Sequence, residues 1–376
     1  MKLSLDKNKK YLLACSFGPD SMALFSLLLA EDYYFEVAHV NYHMREESDS
    51  EQLRLVAFCK EKNIVLHTTD AFYSKKYRNF QAWAREARYD YFKEIINNNS
   101  LDVLLTGHQL DDVLETYLMQ KEKKANLFYF GIRERTIISG IQVVRPLIGY
   151  PKNLLIDHCT NTQTPFAIDA SNLSVSYRRN FLRNRVIARM GSQEKTMLLE
   201  EILARNEYEM DKTQRLKEYI SNRGTMQIAK FTSLSIEDKA RIVYMFFTKY
   251  DQAAFFHQGH VKVVDTILRS DKTTALVKVK HNIYLTKFYQ DFAIIDINEY
   301  RPYEEVVSKE QKSVKSRHVY FDLQGDLSRY NIKQSSFPLV IRTYRAGDTY
   351  KIKNYSKKVS RLFIDMKLPK HLRLIW

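Results

Sequence analysis

Tyr11-Leu12-Leu13-Ala14-Cys15-Ser16-Phe17-Gly18-Pro19-Asp20-Ser21-Met22 is the stretch that decides the fold. A short apolar run ends in a loop of small residues, and residues 22–30, of helical composition, follow at once. A loop that opens a helix aims backbone N–H groups and the positive end of the helix dipole at one spot, which makes it an anion site. A kinase-type phosphate loop needs Gly-Lys before its Ser or Thr, and no Gly-Lys pair occurs in this chain. A GxGxxG dinucleotide fingerprint is absent too. By itself, the loop 16–21 also reads as an ordinary Gly-Pro turn with a Ser or Asp helix cap.

Outward from this loop, strands are expected at 11–15, 35–40, 64–69 and 103–106, and helices at 22–30, 46–62, 80–96 and 111–120. Within 46–62, Leu53, Val56 and Ala57 fall on one side at helical spacing. Such βαβα alternation predicts an α/β fold with a doubly wound, mostly parallel sheet covered by helices on both faces. Ligands then bind beyond the carboxyl ends of the strands. From about residue 192, Leu199, Ile202, Leu203, Met210, Leu216 and Ile220 recur at helical steps, which predicts a long amphipathic helix or two. A β-rich stretch is expected at 276–297, and the polar segment 301–316 reads as a linker. The expected domains are a catalytic unit at 1–191, a mainly helical one at 192–300, and a small basic α+β unit at 317–376.

Composition narrows the partners. The 376 residues carry 59 Lys+Arg against 44 Asp+Glu, a net charge of +15 that favours a polyanion such as nucleic acid. Residues 301–376 hold 17 Lys+Arg and 7 Asp+Glu, two-thirds of that surplus. A solvated basic surface without a partner is the plainer alternative. Ten Gly and 7 Pro beside 25 Tyr and 21 Phe exclude a collagenous or long disordered chain. Cys15, Cys59 and Cys159 form no CxxC pair and no disulfide framework, which suits a reducing cytoplasm. No apolar run reaches the length of a spanning helix or signal peptide core, so the expectation is a soluble cytoplasmic protein with no membrane partner.

Two further stretches leave expected strands. Thr106-Gly107-His108-Gln109-Leu110-Asp111-Asp112-Val113-Leu114-Glu115-Thr116 opens a helix on which Asp112 and Glu115 share a face, while Asp111 turns away. Two carboxylates near a helix start commonly just complement its dipole. Beside a phosphate loop they can hold Mg²⁺ or an ammonium group. His39-Val40-Asn41-Tyr42-His43-Met44-Arg45 has two histidines four apart, but no Cys or HExxH context, so zinc is not expected. Finally, 171–189 carries Arg178, Arg179, Arg183, Arg185 and Arg189 with no acid in the run. Such arginines repel one another unless an anion is near, and Arg suits bidentate phosphate recognition. RNA or ATP phosphate is therefore favoured over a solvated helix face.

The loop 16–21 resembles the SGGxDS loop of PP-loop ATP pyrophosphatases. With the two stretches above, Asp169-Ala170-Ser171-Asn172, Arg179-Asn180-Phe181-Leu182-Arg183, Ala84-Arg85-Glu86-Ala87-Arg88-Tyr89 and Arg145-Pro146-Leu147, the chain resembles the tRNA(Ile)-lysidine synthetase family. The segment from Gly347-Asp348 through Lys357-Lys358 to Lys367-Leu368-Pro369 is similar to that family's C-terminal domain. The resemblance implies ATP-dependent adenylation of the wobble cytidine C2 oxygen in a CAU-anticodon isoleucine tRNA, with release of pyrophosphate. The amine of free L-lysine then attacks C2 and AMP leaves. It further implies ATP binding by Ser16, Phe17, Gly18, Pro19, Asp20, Ser21, His39, Asn41, Gly107 and His108. Asp20, with Mg²⁺ as its candidate metal, Arg85, Arg88 and Asp112 would serve the chemistry, and Asp112 and Glu115 would bind lysine. Arg178, Arg179, Arg183, Arg185, Lys357, Lys358 and Arg361 would contact tRNA.

Three residues depart from the family patterns: Phe17 for a glycine, and Tyr42 and Gln109 for histidines. Phe17 demands a negative φ or some strain. The chain also ends at Trp376, before the further strands usual in the family. An iron–sulfur tRNA thiolase would need clustered cysteines, which are lacking. A thiolase with a single catalytic cysteine, Cys15 or Cys59, and a non-catalytic tRNA-binding protein are the rival readings. Protein partners stay open, with a homodimer one option.

Overall fold

Alternating burial along Tyr11-Leu12-Leu13 sets the architecture. Tyr11 and Leu13 point into one apolar cluster and Leu12 into another, as expected for a strand covered on both faces. The computed structural model describes residues 1–44, 46–74, 79–122, 128–168, 178–250, 252–311, 313–315, 320–324, 327, 332–352 and 355–376. It forms two units, Met1–Thr213 and Gln214–Trp376.

The first unit runs β1 (Tyr11–Ala14), α1 (Pro19–Ala30), β2 (Phe35–Asn41), α2 (Ser48–Glu61), β3 (Leu66–Asp70), α3 (Phe80–Asn98), β4 (Val103–Thr106), α4 (Leu110–Glu122), β5 (Arg135–Ile138), β6 (Ile141–Val144), α5 (Lys152–Asn161), α6 (Arg178–Phe181) and α7 (Ser192–Lys217). The sheet order is β3-β2-β1-β4-β6-β5, parallel except for the antiparallel edge strand β5. This is the doubly wound, mostly parallel α/β sheet expected from the alternation. Chain order reverses between β1 and β4, so the loops leaving these two strands diverge and open a crevice at the switch point.

One core cluster joins Met22, Phe25 and Leu28 of α1 to Leu55 of α2 and Leu155 of α5. The other packs Tyr89, Phe92 and Ile96 of α3 on Leu12, Leu104 and Val143. The face expected for α2 is wrong: Leu53 is 69% exposed and Val56 41%, while Leu55 and Cys59 are buried. These two stand four apart and form a narrow inward stripe, which the run at 53, 56 and 57 does not share.

In α7, Ile202 is buried against Leu114 and Tyr117 of α4, so the helix start belongs with the first unit rather than beginning a new domain at 192. Leu203 and Met210, expected on the same apolar stripe, are exposed.

The second unit holds β7 (Met226–Gln227), α8 (Ile228–Ser233), α9 (Ile236–Lys249), α10 (Gln258–Arg269), β8 (Thr274–Lys280), β9 (Ile283–Phe288) and β10 (Asp291–Asp296). Its sheet is antiparallel, ordered β7-β10-β9-β8, so the region read as mainly helical is α+β. Then come β11 (Glu304–Val307), β12 (Ser313–Lys315), β13 (Tyr320–Asp322), β14 (Leu339–Arg342), β15 (Thr349–Ile352), β16 (Tyr355–Lys358) and α11 (Val359–Asp365). β11 pairs with β14 and β12 with β13, so the polar stretch read as a linker carries two strands. Near the chain end, buried His371 sets its Nδ1 2.9 Å from Thr286 Oγ1 of β9.

Phe17 adopts φ +60°, the left-handed region, yet its ring is fully buried in the cluster that joins α1, α2 and α5 to the sheet. Its backbone carbonyl accepts from the Ala167 N–H at 2.9 Å, and the Arg54 guanidinium lies 5.1 Å from the ring centroid. The strain anticipated at this position is present, and ring burial offsets it: about 1–2 kcal/mol of left-handed cost against about 1.5–3 kcal/mol of burial. Thermal unfolding should therefore rank position 17 Phe above Gly above Ala, since alanine keeps the strain and loses the ring. Gly should exceed Ala by about 1 kcal/mol; equal stabilities would contradict this account.

Candidate active site

The two diverging loops meet backbone to backbone. Gly18 caps α1 with Pro19 in the first turn, and no side chain caps the helix. The first-turn N–H groups of Asp20 and Ser21 thus face outward without an intrahelical acceptor. Ser21 Oγ donates to Gly18 O at 3.0 Å and accepts from Ser16 N–H at 3.3 Å, so its hydroxyl shapes the loop. Across the crevice, a Cβ on Gly107 would stand 3.0 Å from Asp20 C and Ser21 N. Only glycine lets the β4 loop come this close.

A cavity of about 440 Å³ opens here, lined by Ser16, Asp20 and Ser21, by Gly107, His108 and Asp112, and by four arginines, Arg85, Arg88, Arg179 and Arg183. Four guanidiniums and two carboxylates thus line one cavity. Arg85 and Arg88 reach it from α3, where Arg85 lies over the Tyr89 ring at 4.8 Å.

Gln109 caps α4: its Oε1 accepts from Asp111 N–H at 2.6 Å, and Asp112 Oδ2 accepts from Gln109 N–H at 3.1 Å. These two bonds tie the start of α4 to the residue before it. His108 Nδ1 lies 2.9 Å from Thr106 Oγ1. Burial pushes its pKa down to about 4, helped by Arg145, Arg179 and Arg85 and opposed by Asp112, so the ring is neutral at pH 7.

The arginine run does have acids opposite it, and they come from α4. Arg183 Nη2 donates to Asp112 Oδ1 at 2.7 Å and its Nε to Glu115 Oε2 at 3.0 Å, while Arg179 Nε donates to Glu115 Oε1. Arg178 is paired with Glu122, and Lys195 Nζ with Asp111 at 2.7 Å. The carboxylates of Asp112 and Glu115, three apart on α4, thus meet Arg179 and Arg183 across the fold. Glu115 is fully buried and does not line the cavity, so two guanidiniums stand where lysine was expected. Burial raises its pKa and the two arginines oppose that rise.

His39 and Asn41 also lie away from the cavity. Strand alternation turns Ala38, Val40 and Tyr42 toward it and His39 and Asn41 to the opposite face. His39 Nδ1 sits 2.9 Å from Cys15 O, and Asn41 Nδ2 donates to Asp49 Oδ1 at 2.7 Å. Tyr42, noted in the sequence only as a departure, lines the cavity, with its hydroxyl donating to Ala84 O at 2.9 Å. Tyr89 and Phe92 line it as well. Arg185 and Arg189 are exposed with no ion pair among the described residues, as is Lys358, whereas Lys357 and Arg361 face Asp365. Residues 169–172 lie outside the described residues, as does Arg45.

The family model described as the PP-loop domain matches residues 2–190. The chain belongs to the PP-loop family. It is 26% identical to the tRNA(Ile)-lysidine synthase of Mycoplasma mycoides over 99% of this chain and 94% of that one. It is 26% identical to the enzyme so named in Enterococcus faecalis over 96% of this chain and 86% of that one. The enzyme so named in Ureaplasma parvum is 39% identical over 47% of this chain and 54% of its own length.

Within this PP-loop, Asp20 carries the electrostatic tension. Burial raises its carboxyl to about 6, with Asp112 and Asp111 adding to the rise and Lys152 and Arg183 opposing it. Its Oδ1 is buried without a hydrogen-bond partner among the described residues. A folded pKa above the usual value of 3.8 destabilises the protein once the group ionises. Asp20→Asn should therefore raise the unfolding free energy at pH 8 by on the order of 1–3 kcal/mol. The gain should shrink as pH falls from about 6 and vanish near 3.8. Melting curves across this range check it; a gain independent of pH would contradict the buried-charge reading.

Proposed function

We propose that the chain is a tRNA(Ile)-lysidine synthase, an ATP-consuming ligase that joins L-lysine to the wobble cytidine of a CAU-anticodon isoleucine tRNA. The observation that carries this reading is an arginine-lined cavity at the switch point of a PP-loop domain, in a chain aligned almost end to end with enzymes of that name. ATP is the substrate implied by the PP-loop. Its pyrophosphate fits the N-terminus of α1, where unsatisfied N–H groups and the helix dipole meet. Arg85 and Arg88 neutralise charge developing at the α-phosphorus. Neutral His108 offers its ε nitrogen to the same region without adding charge.

Among the described residues no group of three or more His, Cys, Asp or Glu side chains could hold a metal ion. Asp20, with its orphaned Oδ1 and raised pKa, fits Mg²⁺ shared with substrate phosphates. When bound, that ion supplies charge neutralisation on the phosphates.

Lysine is assigned to Asp112, which lines the cavity, while Glu115 holds Arg179 and Arg183 in place. Exposed Arg185 and Lys358 are the candidate tRNA phosphate contacts, with the basic segment 317–376 as a docking module. A cytoplasmic location follows from this reading; among the described residues no helix is long and apolar enough to cross a membrane. A cysteine-dependent thiolase is disfavoured: Cys15, Cys59 and Cys159 are all buried, and burial raises the thiols of Cys59 and Cys159 to about 12 and about 11.

Incubation with ATP, labelled lysine and CAU tRNA(Ile), followed by mass analysis of nucleosides, should yield lysidine; its absence with an active ATP–pyrophosphate exchange would overturn the lysine assignment. Asp112→Asn should raise the lysine KM about 10- to 150-fold, as expected for loss of about 1.5–3 kcal/mol of charge-assisted bonding, with less effect on the ATP KM. Glu115→Gln should instead lower kcat, because it frees two arginines. The reverse pattern would return lysine to Glu115.

A further inference from the structure

Beside the cavity lies a run of aromatic rings that the chemistry above leaves unused. Tyr42, on the cavity wall, packs edge-on to Phe80 and Trp83, with centroids 5.9 and 6.1 Å away. Tyr73 meets the same two rings at 5.2 and 5.3 Å. One residue past Tyr42, the His43 imidazole lies parallel to the Phe72 ring, 4.8 Å between centroids and 4° between planes.

The imidazole is held in place from several sides. Its Nδ1 lies 2.9 Å from Asp49 Oδ1 and its Nε2 3.0 Å from Asp70 Oδ1. The backbone at His43 takes φ +50°, and its N–H donates to Asn41 Oδ1 at 2.9 Å. So much fixation serves a ring whose partner, Phe72, is 72% exposed. With one face on His43, Phe72 presents the other to solvent and gains little from burial. Neither residue belongs to a core cluster of the described residues.

We propose that Phe72, seated on the clamped His43, is a stacking platform for an unpaired base of the RNA substrate, next to the base that enters the cavity. This rests on the tRNA reading above. β2 and β3 run parallel to β1 and β4, so His43 and Phe72 follow the same carboxyl edge of the sheet that opens the cavity, on the side of Asn41 and Asp49 rather than that of Tyr42. The chemistry selects a base over a phosphate. A π-face takes any unstacked base, whereas Asp49 and Asp70 at the imidazole edge repel the RNA backbone.

The test uses the full chain and an anticodon stem-loop of the CAU isoleucine tRNA, with binding followed by fluorescence anisotropy at several salt concentrations. Phe72→Ala should weaken binding about 5- to 150-fold, the equivalent of about 1–3 kcal/mol of base–aromatic stacking. Phe72→Tyr should restore it and Phe72→Leu should not. The slope of log affinity against log salt should stay unchanged, because no phosphate contact is lost. Binding by Phe72→Ala within twofold of wild type would overturn the platform, as would a weakened binding with a flattened salt slope. Lysidine formation is read in the same wild-type preparation. Its absence alongside an intact Phe72 effect would sink the proposed reaction and leave the platform standing.

Discussion

Gly107 runs so near the first turn of α1 that a single Cβ would strike the backbone of Asp20 and Ser21 at 3.0 Å. The site depends on that approach. It brings the loop after β4 against the loop after β1, where the strand order reverses, and it sets His108 and Asp112 across from the helix N-terminus. A larger residue at 107 must move main chain, which is expensive, and every group hung from either loop would move with it. Parallel pairing of β1 with β4, Ala14 beside Thr106, delivers both loops to the same edge of the sheet.

The second constraint is charge. A cavity walled by four arginines would expel itself from a folded core without compensation, and α4 provides it. Asp112 and Glu115 each accept from guanidiniums of the 178–186 segment, so the arginines are held in position before any anion arrives. Breaking a fully buried pair from one side costs about 3–5 kcal/mol because it strands the other charge, and the half-exposed Arg179 brings the cost here below that. Among the described residues, Asp20 is the cavity carboxylate left with a buried oxygen unsatisfied. The protein thus carries built-in electrostatic strain where a cationic group or a substrate-bound ion would relieve it.

Much of this was legible in the residues. The alternation of apolar runs with helical stretches located β1–β4 and α1–α4 to within a few residues, because strands buried on both faces read as short continuous apolar runs. The loops at 16–21 and 107–112 were found for the same reason. The face of α2 was not, since a helix buried only along a narrow stripe of Glu51, Leu55 and Cys59 leaves other apolar side chains at helical spacing in solvent. The strand face of His39 and Asn41 was not legible, because a motif names residues but not the face they occupy. The acids opposite the arginine run lie some 70 positions away, and only the fold brings them together. The strands at 304–307 and 313–315 hid in a polar stretch, as edge-rich small sheets with few inward residues do.

The most direct test of the central claim is the ATP affinity of Gly107→Ala, measured by calorimetric titration beside the wild-type chain. If the close approach of the two loops builds the phosphate site, ATP affinity should fall at least about tenfold, corresponding to about 1.4 kcal/mol. Far-UV circular dichroism of the same sample should keep its native shape. Wild-type ATP affinity in the alanine variant would contradict the account, because the nucleotide would then bind without the contact on which the site is built.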